Sequence, residues 1–180
     1  IMATTFSEIE KGNIKLDSVE ADMRIMINQS NNDATNRLID KLGFDKINQY
    51  IKSNGYSNTE INRKMLASTN SGDNYTSVKD AGNILEKIYK GTCVNKEASS
   101  KMLDYLKSQT LKKKIPAGVP SGVETANKTG ELSNVENDAA IVFKEGTPYI
   151  LVVMSSDLSD TAAARNNIVK ISSKVYEGIE

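Results

Sequence analysis

Glu124-Thr-Ala-Asn-Lys-Thr-Gly-Glu-Leu132 sets a cation, a hydroxyl and a glycine side by side in a run that favours extended structure. Thr125 and Thr129 are strand formers, and Gly130, without a side chain, lets another molecule approach the backbone. An arriving anion would find Lys128 as a point charge, Thr129 as a hydroxyl donor, and unpaired amides if this strand is a sheet edge. The plain alternative is an ordinary strand ending in a turn at Gly130. Two more strand-like runs follow, Ala139 to Phe143 and Tyr149 to Met154, joined through Lys144-Glu-Gly-Thr-Pro148, which is a hairpin signal. The last run is apolar at every position, so it is expected to be covered on both faces, with helices on both sides of the sheet.

Upstream of the strands the apolar period is helical. Met2 to Lys11 reads as the tail of a helix stopped at Gly12, and Asp17-Ser-Val-Glu20 has the form of a capping box ahead of Met23, Met26 and Ile27. Ala34, Leu38, Ile39 and Leu42 mark a helix closed by Gly43, and Phe44, Ile47 and Ile51 one closed near Gly55. From Tyr56 to Tyr75 the period disappears, which predicts a long loop of the kind that carries function or moves. Ser77-Val-Lys-Asp80 is a second capping box, opening a helix with Ala81, Ile84, Leu85 and Ile88 on one face, and Ala98, Met102, Leu103 and Leu106 mark another. Lys112 to Gly122 reads as an irregular connection whose lysines form a solvated surface. A final helix starts near Asp160 and packs through Ile168, Ile171, Val175 and Ile179. The order predicts an α+β fold: one domain over residues 1–180, a helical block, an antiparallel sheet with three strands present, and a C-terminal helix covering it. The sheet is expected to be short of a strand from an upstream segment, because Ile1 to Thr5 reads as helix interior with no cap before it.

Composition removes several function classes. With 23 basic and 23 acidic residues the net charge is zero, and basic residues are scattered apart from Lys112 to Lys114, so no nucleic-acid face is expected. The longest apolar run, Tyr149 to Met154, is too short to cross a bilayer, so no membrane segment is expected in these residues. Cys93 is the single cysteine, which excludes an internal disulfide and a cysteine zinc site, and it reads as a small buried apolar residue. There is no histidine, which removes the Ser-His-Asp triad, the Cys-His pair and His-bearing metal sites. Proton transfer would fall to Lys, Glu, Asp or Tyr, and neither metal nor cofactor is expected.

Two polar clusters remain: Ser30-Asn31-Asn32 between helices and Lys128-Thr129-Gly130 on a strand. Taken alone, Ser30 reads more simply as a helix cap and Asn32 as a turn former. Taken together, in this order, they resemble the second and third motifs of the penicillin-recognising serine enzymes, the class A β-lactamases and the penicillin-binding transpeptidases and carboxypeptidases. Met26-Ile-Asn-Gln-Ser-Asn-Asn-Asp-Ala-Thr-Asn-Arg-Leu-Ile-Asp40 resembles the class A helix-loop-helix around that family's Ser-Asp-Asn. Ile1-Met-Ala-Thr-Thr-Phe6, Gly12 and Leu16-Asp17 resemble the stretch just after its nucleophile helix begins. The resemblance covers nearly the whole chain and is closest to class A enzymes of Gram-positive bacteria.

The resemblance implies a β-lactamase/transpeptidase-like fold and ring opening of a β-lactam through an acyl-enzyme. It implies that Ser30 relays a proton to the leaving nitrogen while Lys128 keeps its hydroxyl polarised. Asn32 would hold the substrate's side-chain amide, Thr129 and Lys128 its carboxylate, and Gly130 would leave room beside them. The amide of Glu131 would supply half of an oxyanion hole. A small-molecule β-lactam or a peptidoglycan stem peptide is the implied ligand, for a monomer at the cell surface or outside the cell. Two departures qualify this. No Ser-x-x-Lys occurs in the sequence; the resemblance implies one just upstream of Ile1, so the chain as it stands is expected to be inert. In Ile61-Asn-Arg-Lys-Met-Leu66, Met65 stands where the family's lactamases carry the glutamate that activates the deacylating water, and Glu60 is the nearest carboxylate. Persistent acylation is therefore expected, as in a penicillin-binding protein or weak lactamase. Arg63 either pairs with Asp73 across the loop or is a plain surface arginine. A D-alanyl-D-alanine peptidase and a non-catalytic binding domain stay open as alternatives.

Overall fold

Helices form where the apolar period runs at 3.6 residues, and strands where it shortens. The computed structural model describes residues 1–68 and 72–180. The helices are α1 (Met2–Glu10), α2 (Glu20–Asn28), α3 (Asn32–Leu42), α4 (Phe44–Ser53), α5 (Val78–Tyr89), α6 (Lys96–Lys107) and α7 (Thr161–Gly178), and the strands β1 (Thr125–Leu132), β2 (Val135–Val142) and β3 (Tyr149–Ser155). Asn31, Ser77, Asn95 and Asp160 cap α3, α5, α6 and α7, their side-chain oxygens accepting the N–H groups of Ala34, Asp80, Ala98 and Ala163. Each such cap contributes about 1 kcal/mol.

The capping box at Asp17-Ser-Val-Glu20 does not form. Asp17, the residue that would cap, lies inside a 3-10 turn over Leu16–Ser18, where the Ser18 hydroxyl donates to the Lys15 carbonyl at 2.7 Å. Helix α2 then starts behind Val19, which has no side-chain oxygen to offer. At Ser77 only half of the expected box is made. Asp80 turns its carboxylate outward to the Asn58 N–H and the Thr59 hydroxyl, both at 2.8 Å, tying the loop after α4 to the start of α5.

The sheet is antiparallel in the order β1-β2-β3, with Lys128 opposite Ala139 and Gly130 opposite Asn137. Strand β1 continues past Gly130 to Leu132, and β2 begins at Val135 rather than at Ala139. Glu136 and Asp138 disguise that start, because both are polar and both are buried. On one face Ala126 and Ile141 join Leu85, Ile88, Met102 and Tyr105 in the main core. On the other, Ala140 and Val142 pack with Ile115 and Ile168 of α7. Helices thus cover both faces. β3, at the edge opposite β1, is half-buried at every residue.

The lysine run is not a uniformly solvated surface. Lys114 is 1% exposed, with its ammonium 2.5 Å from Glu136 and 3.0 Å from Glu131. Arg165 on α7 takes the other oxygen of Glu136 at 2.5 Å. What draws Lys114 inward is its neighbour: the Ile115 N–H donates to Asp138 at 2.9 Å, and Ser172 of α7 donates to the Ile115 carbonyl at 2.8 Å. Gly118 lets this 3-10 turn (Ile115–Gly118) lie against α7, since a Cβ there would stand 2.4 Å from the Val169 carbonyl.

Candidate active site

In an antiparallel pair, residues alternate between exchanging backbone bonds with the partner strand and presenting them outward. The Phe143 N–H donates to the Glu124 carbonyl at 3.0 Å, which fixes the phase. Even-numbered residues of β1 therefore bond to β2. Thr129 and Glu131 turn their N–H and C=O groups to the open edge. Lys128 bends round that edge, donating to the Thr129 carbonyl at 2.6 Å and to the Ser30 hydroxyl at 2.7 Å.

Ser30 is brought there by a bracket between α2 and β1. Gln109, 1% exposed, donates to the Ile27 carbonyl at 2.7 Å and to the Asn127 carbonyl at 3.4 Å. Thr110 adds bonds from its N–H and hydroxyl to the Asn28 carbonyl, at 2.9 and 2.8 Å. The end of α2 and the lysine strand thus share one support. The chain then turns sharply, with Ser30 at φ 56 in the left-handed region, a conformation costing a serine about 1 kcal/mol or more.

The contact opens on a groove of about 470 Å³ lined by Ser30, Asn32, Lys128, Thr129 and Gly130. Among the expected site residues only Glu131 does not line it: its carboxylate is drawn to Lys114, leaving its backbone N–H at the edge. A Cβ at Gly130 would touch Asn137 at 3.5 Å and take space from the groove. Burial pushes the Lys128 ammonium down to about 8; Asp138 opposes this, Lys114 adds to it and Glu131 opposes it. A lysine in that range both gives and accepts a proton near neutral pH. Burial raises the Asp138 carboxyl despite its bonds from Asn127 and the Ile115 N–H. Among the described residues no cluster of three His, Cys, Asp or Glu could hold a metal, and no helix is long and apolar enough to cross a membrane.

The described residues of the stretch from Tyr56 to Tyr75, 56–68 and 72–75, are pinned at several points. Glu60 and Tyr75 exchange backbone bonds, and Arg63 forks onto Asp73 at 2.8 and 3.0 Å, so Arg63 is a paired residue and not a plain surface one. Asn36 accepts from the Met65 N–H at 2.8 Å and donates to its carbonyl at 3.2 Å, and Asn48 does the same for Ile61 at 3.0 and 2.9 Å. The Met65 side chain packs on the apolar group of Ile39, Leu42, Ile47 and Ile61. Neither Met65 nor Glu60 lines the groove. Sequence reasoning missed Asn36, Asn48, Gln109 and Lys114; the one hint for the first two was a poor helix former in mid-helix.

A helical block set against one face of an antiparallel sheet, with a C-terminal helix on the other, is the fold of the class A β-lactamases and penicillin-binding proteins. The chain belongs to the β-lactamase enzyme family, whose model matches residues 18–179. Beta-lactamase 3 of Bacillus cereus is 28% identical in an alignment 158 residues long that covers 83% of this chain and 50% of that protein, so the chain spans about half the length of that relative. A mutant of PBP-A in acyl-enzyme complex with penicillin G superimposes with a TM-score of 0.89 at 24% identity, over 98% of this chain and 76% of that one. The β-lactamase of Sphaerobacter thermophilus DSM 20745 gives 0.89 at 23%, over 99% and 81%. At those identities the two structures speak for the fold.

Proposed function

We propose that this chain is the proton-relay and carboxylate-binding part of a serine acyl-transfer enzyme that opens β-lactams. The single observation carrying this reading is the 2.7 Å contact from Lys128 to Ser30 at the mouth of the groove. In the proposed reaction a serine attacks the lactam carbonyl, the C–N bond breaks, and the Ser30 hydroxyl passes a proton to the departing nitrogen. Lys128 restores that proton, and its pKa near 8 supports the exchange. The substrate carboxylate lies against Thr129 and Lys128, its side-chain amide against Asn32, and its carbonyl oxygen accepts from the Glu131 N–H. A donor of that last kind is worth about 3 kcal/mol in the transition state. The 180 residues hold no Ser-x-x-Lys, so in this reading the acylated serine and its activating lysine come from outside them and the chain alone takes no acyl group. A β-lactam and a cell-wall peptide are both met outside the membrane, so the reading carries an extracellular or cell-surface location.

One observation favours penicillin-binding behaviour over efficient hydrolysis. Met65 packs into an apolar cluster, so the loop offers no carboxylate to a deacylating water at that position. The test is mass spectrometry after incubation with benzylpenicillin, together with a chromogenic cephalosporin assay. The chain should show no covalent adduct, and a longer parent containing Ser-x-x-Lys should acylate and turn over slowly, with Met65→Glu shortening the acyl lifetime. An adduct on the 180 residues, or a parent that is never acylated, would overturn the proposal.

A further inference from the structure

A lysine at 1% exposure is an expensive way to join a sheet to a helix, since a well-packed apolar pair of similar volume folds as well or better. Lys114 is more specifically placed than that task requires. Its ammonium lies 3.4 Å from the Gly130 carbonyl, 3.0 Å from the Asn137 carbonyl opposite, and 3.0 Å from the Glu131 carboxylate. The Gly130 carbonyl and the Glu131 N–H are the two ends of one planar peptide group and point in opposite directions. By the β1 alternation, the carbonyl end faces β2 and the N–H end faces the open edge beside the groove.

We infer that Lys114 is a positioning residue for the Glu131 N–H: it holds the far end of that peptide group and thereby aims and polarises the donor offered to a substrate oxygen. The inference rests on the acyl-transfer reading for its purpose, and on the contacts of Lys114 for its geometry. A cation on a carbonyl draws electron density through the amide and strengthens the bond its N–H can donate. The Glu131 carboxylate, pulled to the same ammonium, holds the residue from its side-chain end. Glu136, with Arg165 behind it, fixes the ammonium in turn: burial alone would raise that carboxyl, yet Lys114 and Arg165 hold it below its ordinary range.

Thr129 provides the control, because its N–H faces the same open edge two residues earlier and no contact of Lys114 reaches its peptide group. The experiment compares ¹⁵N-labelled protein with the charge-balanced variant Lys114→Met with Glu136→Gln, which strands neither charge. Without ligand, and well below pH 8 so that Lys128 stays protonated in both proteins, the Glu131 amide proton should move upfield and exchange faster with solvent in the variant, while Thr129 stays in place. On titration with benzylpenicillin, the Glu131 response should fall about twofold relative to Thr129, since charge assistance roughly doubles the strength of such a bond. Equal changes at both amides would reduce Lys114 to a structural link and overturn the inference; so would an unchanged Glu131. If benzylpenicillin moves neither amide in the unaltered protein, the acyl-transfer reading fails by itself and the ligand-free comparison still decides the role of Lys114. Should the methionine variant lose its dispersed spectrum, Lys114→Gln with Glu136→Gln, whose amides can bond each other, takes the same measurements.

Discussion

Lys128→Met separates the electrostatic load of the groove from its chemistry. In the folded protein the ammonium sits at about 8, below its ordinary 10.5, chiefly because it is buried. Below pH 8 the lysine is charged in both states, so the fold carries the full cost, about 3 kcal/mol. Between 8 and 10.5 the unfolded chain holds a proton that the folded chain has released, so stability rises with pH, and above 10.5 the cost is gone. Methionine removes the charge at every pH but leaves the Ser30 hydroxyl and the Thr129 carbonyl without their donor, at about 1 kcal/mol each. The variant should therefore be more stable by about 1 kcal/mol at pH 7 and less stable by about 2 near pH 10.5. Burial raises the phenols of Tyr50, Tyr56 and Tyr105, which ionise first in the unfolded chain, but both proteins share that alkaline loss and it cancels in the comparison. Urea unfolding followed by circular dichroism at pH 7, 8, 9 and 10 measures the swing. A difference that stays constant over this range, or that grows in favour of methionine, would refute the argument.

Lys114→Met alone leaves Glu136 buried with only Arg165, so it should lose about 3–5 kcal/mol in urea unfolding, most of it recovered by adding Glu136→Gln. Asn36→Ala frees both backbone groups of Met65; about 1–2 kcal/mol of stability should go, and trypsin should cut faster after Lys64 while the rest of the chain resists. Bonds from Lys11, Asn13 and Lys46 hold the Glu8 carboxyl at about 2. The stability it contributes is full above the ordinary carboxylate range and lost as pH falls toward 2, so native protein and Glu8→Gln should differ at pH 6 and converge in acid, read by the same unfolding curves.

The helical block was legible because each helix buries one periodic face, and the groove because Ser30-Asn31-Asn32 and Lys128-Thr129-Gly130 each stand out locally. What escaped depends on partners distant in sequence. Lys114 looks no different from Lys112 and Lys113 until Glu136 is known to lie beneath it, and Glu136 belongs to the polar stretch that hid the start of β2. Asn36 and Gln109 act on carbonyls and N–H groups, which any residue carries, so no side-chain pattern announces them. Asp17-Ser-Val-Glu20 misled for the opposite reason: its local pattern was right, but Asp17 is taken into a 3-10 turn and α2 starts only at Glu20, so the expected cap does not stand at the helix start.

Ser30 holds a backbone shape that glycine or asparagine would hold more cheaply, by about 1 kcal/mol. Only its hydroxyl, facing Lys128, offsets that expense. In any lineage whose groove has fallen out of use, selection for folding alone would drive this position toward glycine or asparagine ahead of the buried residues around it. Its identity across relatives would then act as a clock for when the chemistry was abandoned.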